Sequence, residues 1–327
     1  MCFQMEKFKQ SLCNGETLAL AGMCKNAGKT TALNYCLDVL NKEDMILGLT
    51  SIGRDGESSD LVTGTYKPSI YIRRGTLIAT ASGMLKNCDI TKEVLDTTGI
   101  STPVGDVVIV RALSDGYLDL AGPSTNQQLM EINERFARFG AEKILIDGAI
   151  SRKSLCAPEV ASNTLLCTGA SYDKAMEITV RDTAYIEELF MLPFFDKNEK
   201  DSEDFIEIPG GERASHVILQ PENKDKKYFL LQGALTDVGV QELFMSFSDI
   251  SGKVMVVSDC SKVLLSSATY EKLKKKGLTL QVLEKSTLIG ITMNPYSAYG
   301  NHYDAVRFEE ELNKSLKTKV IDVRRLG

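Results

Sequence analysis

The 327-residue sequence is poor in the residues from which many active centres are built. It has two histidines, His216 and His302, and its eight cysteines (Cys2, Cys13, Cys24, Cys36, Cys88, Cys156, Cys167, Cys260) include no C-x-x-C pair. Zinc and iron–sulfur ligation therefore lack their usual ligand spacing, and reduced thiols in a reducing compartment are expected. Ser-His-Asp nucleophilic catalysis and glycoside chemistry likewise find no support. No window reaches the roughly 18 uninterrupted apolar residues of a membrane span, and the start, MCFQMEKFKQSLCNGE, is too polar for a signal-peptide core. A cytoplasmic protein with no membrane contact is expected. The net charge is −6, the pI is near 5.3, and no basic tract is longer than KLKKKG at 272–277, so nucleic acid is not indicated as a partner. That lysine run reads as the solvated end of a helix.

What is present is the profile of a soluble α/β protein, 43% hydrophobic and 25% charged. TLALAG (17–22), MILGLTSIG (45–53), GTLIATAS (75–82), GDVVIVRAL (105–113), EKILIDGAI (142–150) and NTLLCTG (163–169) are short apolar runs with little alternation. Such runs suit strands buried on both faces of a parallel sheet. Between them, TNQQLMEINERFARFG sets Leu129, Ile132, Phe136 and Phe139 on one helical face, with Gly140 as a C-terminal cap. A second helix is expected over 172–191, capped by Ser171 and ended by Pro193. Residues 1–193 thus read as one α/β core, the acidic, polar 194–227 as an insertion or junction, and 228–327 as a further α/β part that can complete the same fold.

The chemistry starts at ALAGMCKNAGKTTALNYCLDVL, residues 19–40. The usual phosphate-loop pattern G-x-x-x-x-G-K-[ST] needs glycine at 23, where Met23 stands; Gly22 lies one place earlier, so this loop is one residue longer. Its context is right: a buried strand enters, and a helix leaves with Ala32, Leu33, Cys36, Leu37 and Leu40 on its apolar side. Backbone N–H groups of Lys25, Asn26, Ala27, Gly28, Lys29 and Thr30, with Thr31 completing the GKTT run, would point at a polyphosphate. Lys29 would neutralise the β- and γ-phosphates and act catalytically, and the Thr30 hydroxyl would join a Mg2+ shell.

Asp147, at the end of EKILID, is either a second Mg2+ partner or a strand-end cap. Arg152 and Lys153 read as a charged loop. Asp55, in SIGRDGESSD, is either a group that orients water or Mg2+ at the γ-phosphate, with Arg54 beside it, or ordinary turn chemistry. Asn294 in TLIGITMNPYS is either a base contact or an Asn-Pro turn. A guanine reader would have Asn-Lys-x-Asp there, so ATP is expected rather than GTP. The whole reads as a phosphate-loop NTPase fold, a mostly parallel sheet flanked by helices, and a magnesium-dependent ATPase.

The long glycine spacing resembles the dethiobiotin-synthetase branch of phosphate-loop proteins, the class that includes MinD-type ATPases. Its MinD-like members carry a lysine at the position of Cys24, which the sequence replaces; a homodimer is compatible with the residues all the same. TSIGRDGE, VVIVRALSDGYLDLAGPS, LIDGAISRKS and ITMNPYSAYGNHYDAVRFEEEL together resemble the smaller ATP-binding subunit of lysine 5,6-aminomutase reactivases. That resemblance implies a larger MutS-like reactivase subunit and an adenosylcobalamin-dependent aminomutase as partners, with ATP driving release of damaged cobalamin. No D-x-H-x-x-G motif is present for cobalt, so the partner would make that contact. Loops 53–67 and 148–158 would switch with the γ-phosphate. The alternatives are a dethiobiotin-synthetase-like ligase phosphorylating a small carboxylate, with Lys67, Arg73, Arg74 and Arg111 as anion holders, and a non-hydrolysing nucleotide-dependent scaffold.

Overall fold

The computed structural model describes residues 2–53, 69–86, 88–149, 153–247 and 249–322. The chain forms two compact units, Met1–Thr183 with Thr287–Gly327, and Ala184–Ser286. The first contains, in order, α1 (Cys2–Cys13), β1 (Thr17–Gly22), α2 (Lys29–Leu40), β2 (Leu47–Ser51), β3 (Ile70–Ile72), β4 (Leu77–Ala81), β5 (Lys92–Thr102), β6 (Gly105–Ala112), β7 (Gly116–Leu118), α3 (Asn126–Arg138), β8 (Lys143–Ala149), β9 (Asn163–Gly169) and the start of α4 (Met176–Phe190). The second holds β10 (Phe205–Ile208), α5 (Ala214–Ile218), β11 (Tyr228–Leu231), β12 (Leu235–Thr236), α6 (Asp237–Ser246), β13 (Val254–Val257), β14 (Val263–Leu264), α7 (Ser267–Lys275) and β15 (Thr279–Val282). The chain then returns to the first unit with β16 (Leu288–Asn294), α8 (Ala305–Ser315) and β17 (Val320–Ile321). The polar 194–227 stretch lies within the second unit, and only the last part of 228–327 joins the first unit's sheet.

Among the described residues that sheet runs β17-β16-β9-β1-β8-β2-β4-β6-β5. All neighbours from β17 to β4 are parallel, whereas β6 is antiparallel to β4 and to β5. The 105–113 run, expected as one more parallel strand, is thus corrected to the second arm of a hairpin. The turn between Thr102 and Gly105 is too short for the crossover that parallel strands require. An apolar run buried on both faces carries no sign of its direction.

Side-chain alternation sorts the core into two layers. Leu18, Leu20, Leu145 and Ile78 pack with Leu33, Cys36, Leu37 and Leu40 of α2 and with Phe8 and Leu12 of α1. Ala19, Ile146, Leu77 and Ala79 face Leu129, Ile132 and Phe136 of α3. At the start of α3 the Thr125 hydroxyl accepts from Gln128 N while Gln128 Oε1 accepts from Thr125 N, both at 3.3 Å. Past its end Gly140 takes φ 89°, the left-handed conformation expected of it. The other expected cap fails: α4 begins at Met176, and the Ser171 hydroxyl accepts instead from Ala298 N at 3.3 Å. Lys143 is fully buried, its ammonium donating to the Asn14 and Gly15 carbonyls at 2.6 and 2.9 Å, and burial pushes its pKa down to about 8.

In the second unit β10, β11, β13 and β15 form a parallel sheet in sequential order, with β12 and β14 as a separate parallel pair. Its core joins Phe195, Leu230, Val254 and Val256. KLKKKG closes α7, its lysines exposed as expected of a solvated helix end.

Candidate functional site

Five neighbouring parallel strands, β16, β9, β1, β8 and β2, bring their carboxyl ends to one edge of the sheet, and the 22–30 loop leaves from the middle one. Open α/β sheets bind ligands outside this edge. Pairing does not stop at Gly22: Met23 N donates to Cys167 O at 2.9 Å, and Met23 is buried. The extra residue of the loop is therefore spent continuing the strand. Lys29 then folds back across Gly22, with its Cγ and Cδ 2.6 Å from where a Cβ at position 22 would stand and its Nζ at 3.0 Å. A side chain at 22 would push the lysine out of this path.

Beyond Met23 the backbone turns through two left-handed residues, Asn26 at φ 64° and Gly28 at φ 92°, separated by the buried Ala27. Turns of this kind aim successive N–H groups into a concavity that suits an anion. Gly28 is the cap residue of α2 and offers no side chain to the first turn, while Ala32 N closes the helix onto Gly28 O at 3.0 Å. Lys29, Thr30 and Thr31 form that first turn and are half-buried; Lys25 is exposed. The positive end of the α2 dipole thus meets the loop.

Asp147 is buried on β8, paired in register with Leu20 on one side and Ser51 on the other. Cys167 reports on the charges at this edge: burial pushes its thiol up to about 11, while a hydrogen bond with Thr292 and the Lys29 ammonium lower it and the Asp147 carboxylate raises it. Cys24, in the loop, is likewise pushed up to about 11 by burial, with Lys29 pulling the other way, so it is a protonated thiol at neutral pH.

Asn294 is drawn into the loop. Its Nδ2 donates to Asn26 O at 3.1 Å, its Oδ1 accepts from Tyr296 N at 3.3 Å, and its backbone carbonyl accepts from Ala170 N at 2.9 Å. Its Cβ lies 3.1 Å from where a Gly28 Cβ would be. Both ends of the side-chain amide are engaged, so Asn294 braces the loop. Asp55 and its neighbour Arg54 lie outside the described residues, as do Lys67, Arg152 and most of the 53–67 loop.

No family model matches the chain, and no curated protein matches it either. Among solved structures it has slight likenesses to pNOB8 ParA (13% identity, TM-score 0.29), covering 55% of this chain and 61% of that one. The same protein bound to nonspecific DNA gives 12% identity and TM-score 0.29, covering 95% and 98%. The signal recognition particle receptor FtsY from Elizabethkingia anophelis gives 8% and 0.27, covering 95% and 72%. Likenesses this slight carry no argument, and the chemistry follows from the site itself.

That site fits a nucleoside polyphosphate with a hard divalent cation. The concave turn, the helix terminus and Lys29 supply positive potential, and Thr30 and Asp147 supply hydroxyl and carboxylate oxygens. Mg2+ characteristically takes one or two protein oxygens and fills its shell with water and phosphate. Arg73, Arg74 and Arg111 are elsewhere. The first two precede β4, and Arg111 is paired with Leu77 at its start, so all three stand at the amino edge of the parallel strands, opposite the loop. Arg73 and Arg111 pair there with Asp38 and Glu93 at 3.4 and 3.6 Å.

Three supports of the site were not visible in the sequence. Met23 Sδ lies 3.1 Å from the Thr183 hydroxyl, which donates to the Thr179 carbonyl at 2.6 Å and is 2.8 Å from Thr168 Oγ1. Tyr303 links the Asp173 carbonyl, to which it donates at 2.6 Å, with Thr179 Oγ1 at 2.9 Å. Asn301 donates to the Ala170 and Asp173 carbonyls at 2.8 and 3.1 Å. The i, i+4 threonines Thr179 and Thr183 were the one signal available, since hydroxyls at that spacing share a helix face.

Proposed function

We propose that this chain binds a nucleoside triphosphate at residues 22–30 and hydrolyses it, acting as a magnesium-dependent phosphate-loop ATPase. The observation that carries the reading is Lys29 lying across Gly22, at the mouth of a left-handed turn that opens onto an α-helix N-terminus. In the reaction, the backbone N–H groups of 25–30 hold the phosphates in place, and Lys29 offsets the charge that develops on the transferred γ-phosphoryl group. Thr30 and Asp147 are the residues that would hold Mg2+, which when bound supplies further positive charge to the β- and γ-oxygens. ATP rather than GTP follows from the missing Asn-Lys-x-Asp acceptor after β16. Asp55 is assigned to the attacking water.

The finer reading is that the ATPase belongs to a factor that reactivates an adenosylcobalamin-dependent aminomutase together with a larger MutS-like subunit. It rests on the four segments quoted above. The small-acid ligase loses support, since three of its four anion-holding candidates stand at the edge of the sheet away from the loop. Calorimetric titration with Mg-ATP and Mg-GTP tests the nucleotide site, with Lys29→Ala as control. Binding that prefers ATP and disappears in a folded Lys29→Ala protein is expected; equal affinity in the variant would sink the assignment. Turnover stimulated by a purified aminomutase and its larger subunit tests the finer reading.

A further inference from the structure

The second unit carries an apolar surface of its own. α6 buries Val240 and Leu243, yet its opposite side is apolar as well: Val238 is 64% exposed and Met245 80%. The two are seven residues apart, so they lie on one stripe about 10 Å long. Leu264, 46% exposed, is paired on β14 with Thr236, the cap residue at the start of α6.

The two borders of the stripe differ in charge. Lys276 at the end of α7 sets its ammonium over the Phe244 ring of α6, 5.1 Å from the centroid, so this flank of α7 faces α6. Lys272 is four residues earlier on the same flank, and Lys275 follows round the helix beyond Lys272, farther from Lys276. All three are exposed, and none is in an ion pair among the described residues. Lys274 differs, being neutralised on the other flank by Glu188 and Glu271 at 3.0 and 2.7 Å. On the far side of α6, Glu242 is paired with Arg213 at 3.4 Å. An apolar ridge with a row of lysines along one edge selects a complementary ligand with an apolar face and a carboxylate edge.

We propose that the α6–α7 surface is a docking site for an acidic amphipathic helix of a partner protein, laid along Val238 and Met245 with its carboxylates on Lys272, Lys275 and Lys276. Lysine suits this task because its long stem packs on the apolar ridge while the ammonium reaches the rim. The rim charges set the rate of encounter and its salt dependence, and the exposed methionine adapts to the face laid on it.

The probe is a fluorescein-labelled designed helix of about 18 residues, with leucine at i, i+3, i+4 and i+7 and glutamate beside them. Anisotropy with the full chain is expected to show saturable binding that weakens as salt rises. Val238→Asp with Met245→Asp, and separately Lys272→Glu with Lys276→Glu, should each lower affinity about tenfold or more with unchanged circular dichroism. Because all four positions are on the surface, either pair serves if the other fails to fold. A matched leucine/lysine helix should not bind. Absence of binding by the acidic helix, or affinity untouched in both folded double variants, overturns the proposal. So does concentration-dependent self-association that Met245→Asp abolishes, which assigns the surface to a second copy, or co-sedimentation with phosphatidylserine vesicles in place of peptide binding, which assigns it to a membrane.

Discussion

Replacing Asn294 by alanine separates two roles for this residue. Read as a base contact, its loss weakens ATP and leaves the phosphates' grip intact. As the structure has it, the Nδ2–Asn26 O bond at 3.1 Å and the Tyr296 N–Oδ1 bond at 3.3 Å hold the loop to the end of β16. A hydrogen bond of this kind contributes about 1 kcal/mol net, and the longer one less, so Asn294→Ala should destabilise the loop conformation by about 1–2 kcal/mol. Since about 1.4 kcal/mol is a factor of ten in a binding constant, affinity should fall about five- to thirtyfold. The decisive comparison is between Mg-ATP, Mg-GTP and inorganic triphosphate, titrated calorimetrically into both proteins. A brace predicts the same factor for all three, because triphosphate has no base to lose. A loss confined to ATP, with triphosphate binding unchanged, refutes the reasoning and returns Asn294 to the base.

Gly28→Ala puts a side chain on a backbone at φ 92°, a strain of about 1–2 kcal/mol, and brings its Cβ to 3.1 Å from that of Asn294. Urea unfolding should show that loss, together with weakened triphosphate binding. Burial holds the Lys143 pKa down to about 8, against 10.5 for an ordinary lysine. Between those values the unfolded chain binds the extra proton, so the native state gains as pH rises through the window and the gain is lost as pH falls through 8. Lys143→Met has no such proton, and the stability of the wild type relative to the variant should climb by up to about 3 kcal/mol from pH 8 to 10.5. A difference flat in pH would contradict the burial. Thr125→Ala removes one arm of the α3 capping box and should lower stability by about 1 kcal/mol, read as a shift in the urea midpoint at unchanged slope.

Where local pattern decides structure, the reading from sequence held. β1 and β9 begin and end where their apolar runs do, and α3 obeys its period between a capping threonine and a left-handed glycine. Failures arose where partners distant in the chain decide. β5 mixes Lys92, Glu93 and Asp96 with apolar residues because it is an edge strand, and nothing in it announces its pairing with β6. Arg135, on α3, pairs with Asp96 at 2.5 Å, a contact no spacing predicts. Within the site, Gly22, Gly28, Lys29 and Thr30 were legible as a strand–loop–helix motif. That the glycine belongs at 22 because pairing runs on through Met23 was not. Ser171 looked like a cap only because the true start of α4 depends on the 170–175 turn, whose Ala175 N is held by the Asp173 side chain at 2.8 Å.

The bond from Asn294 to Asn26 spans 268 positions. A ribosome delivers Gly22 to Thr30 early, but their brace emerges only after the whole of the second unit has been made. During synthesis the growing chain therefore carries the loop sequence without its final support, and the braced loop is one of the last features it acquires. A nascent chain stalled before β16 should bind triphosphate less tightly than one released, and a protein truncated there would hold the motif while lacking the grip.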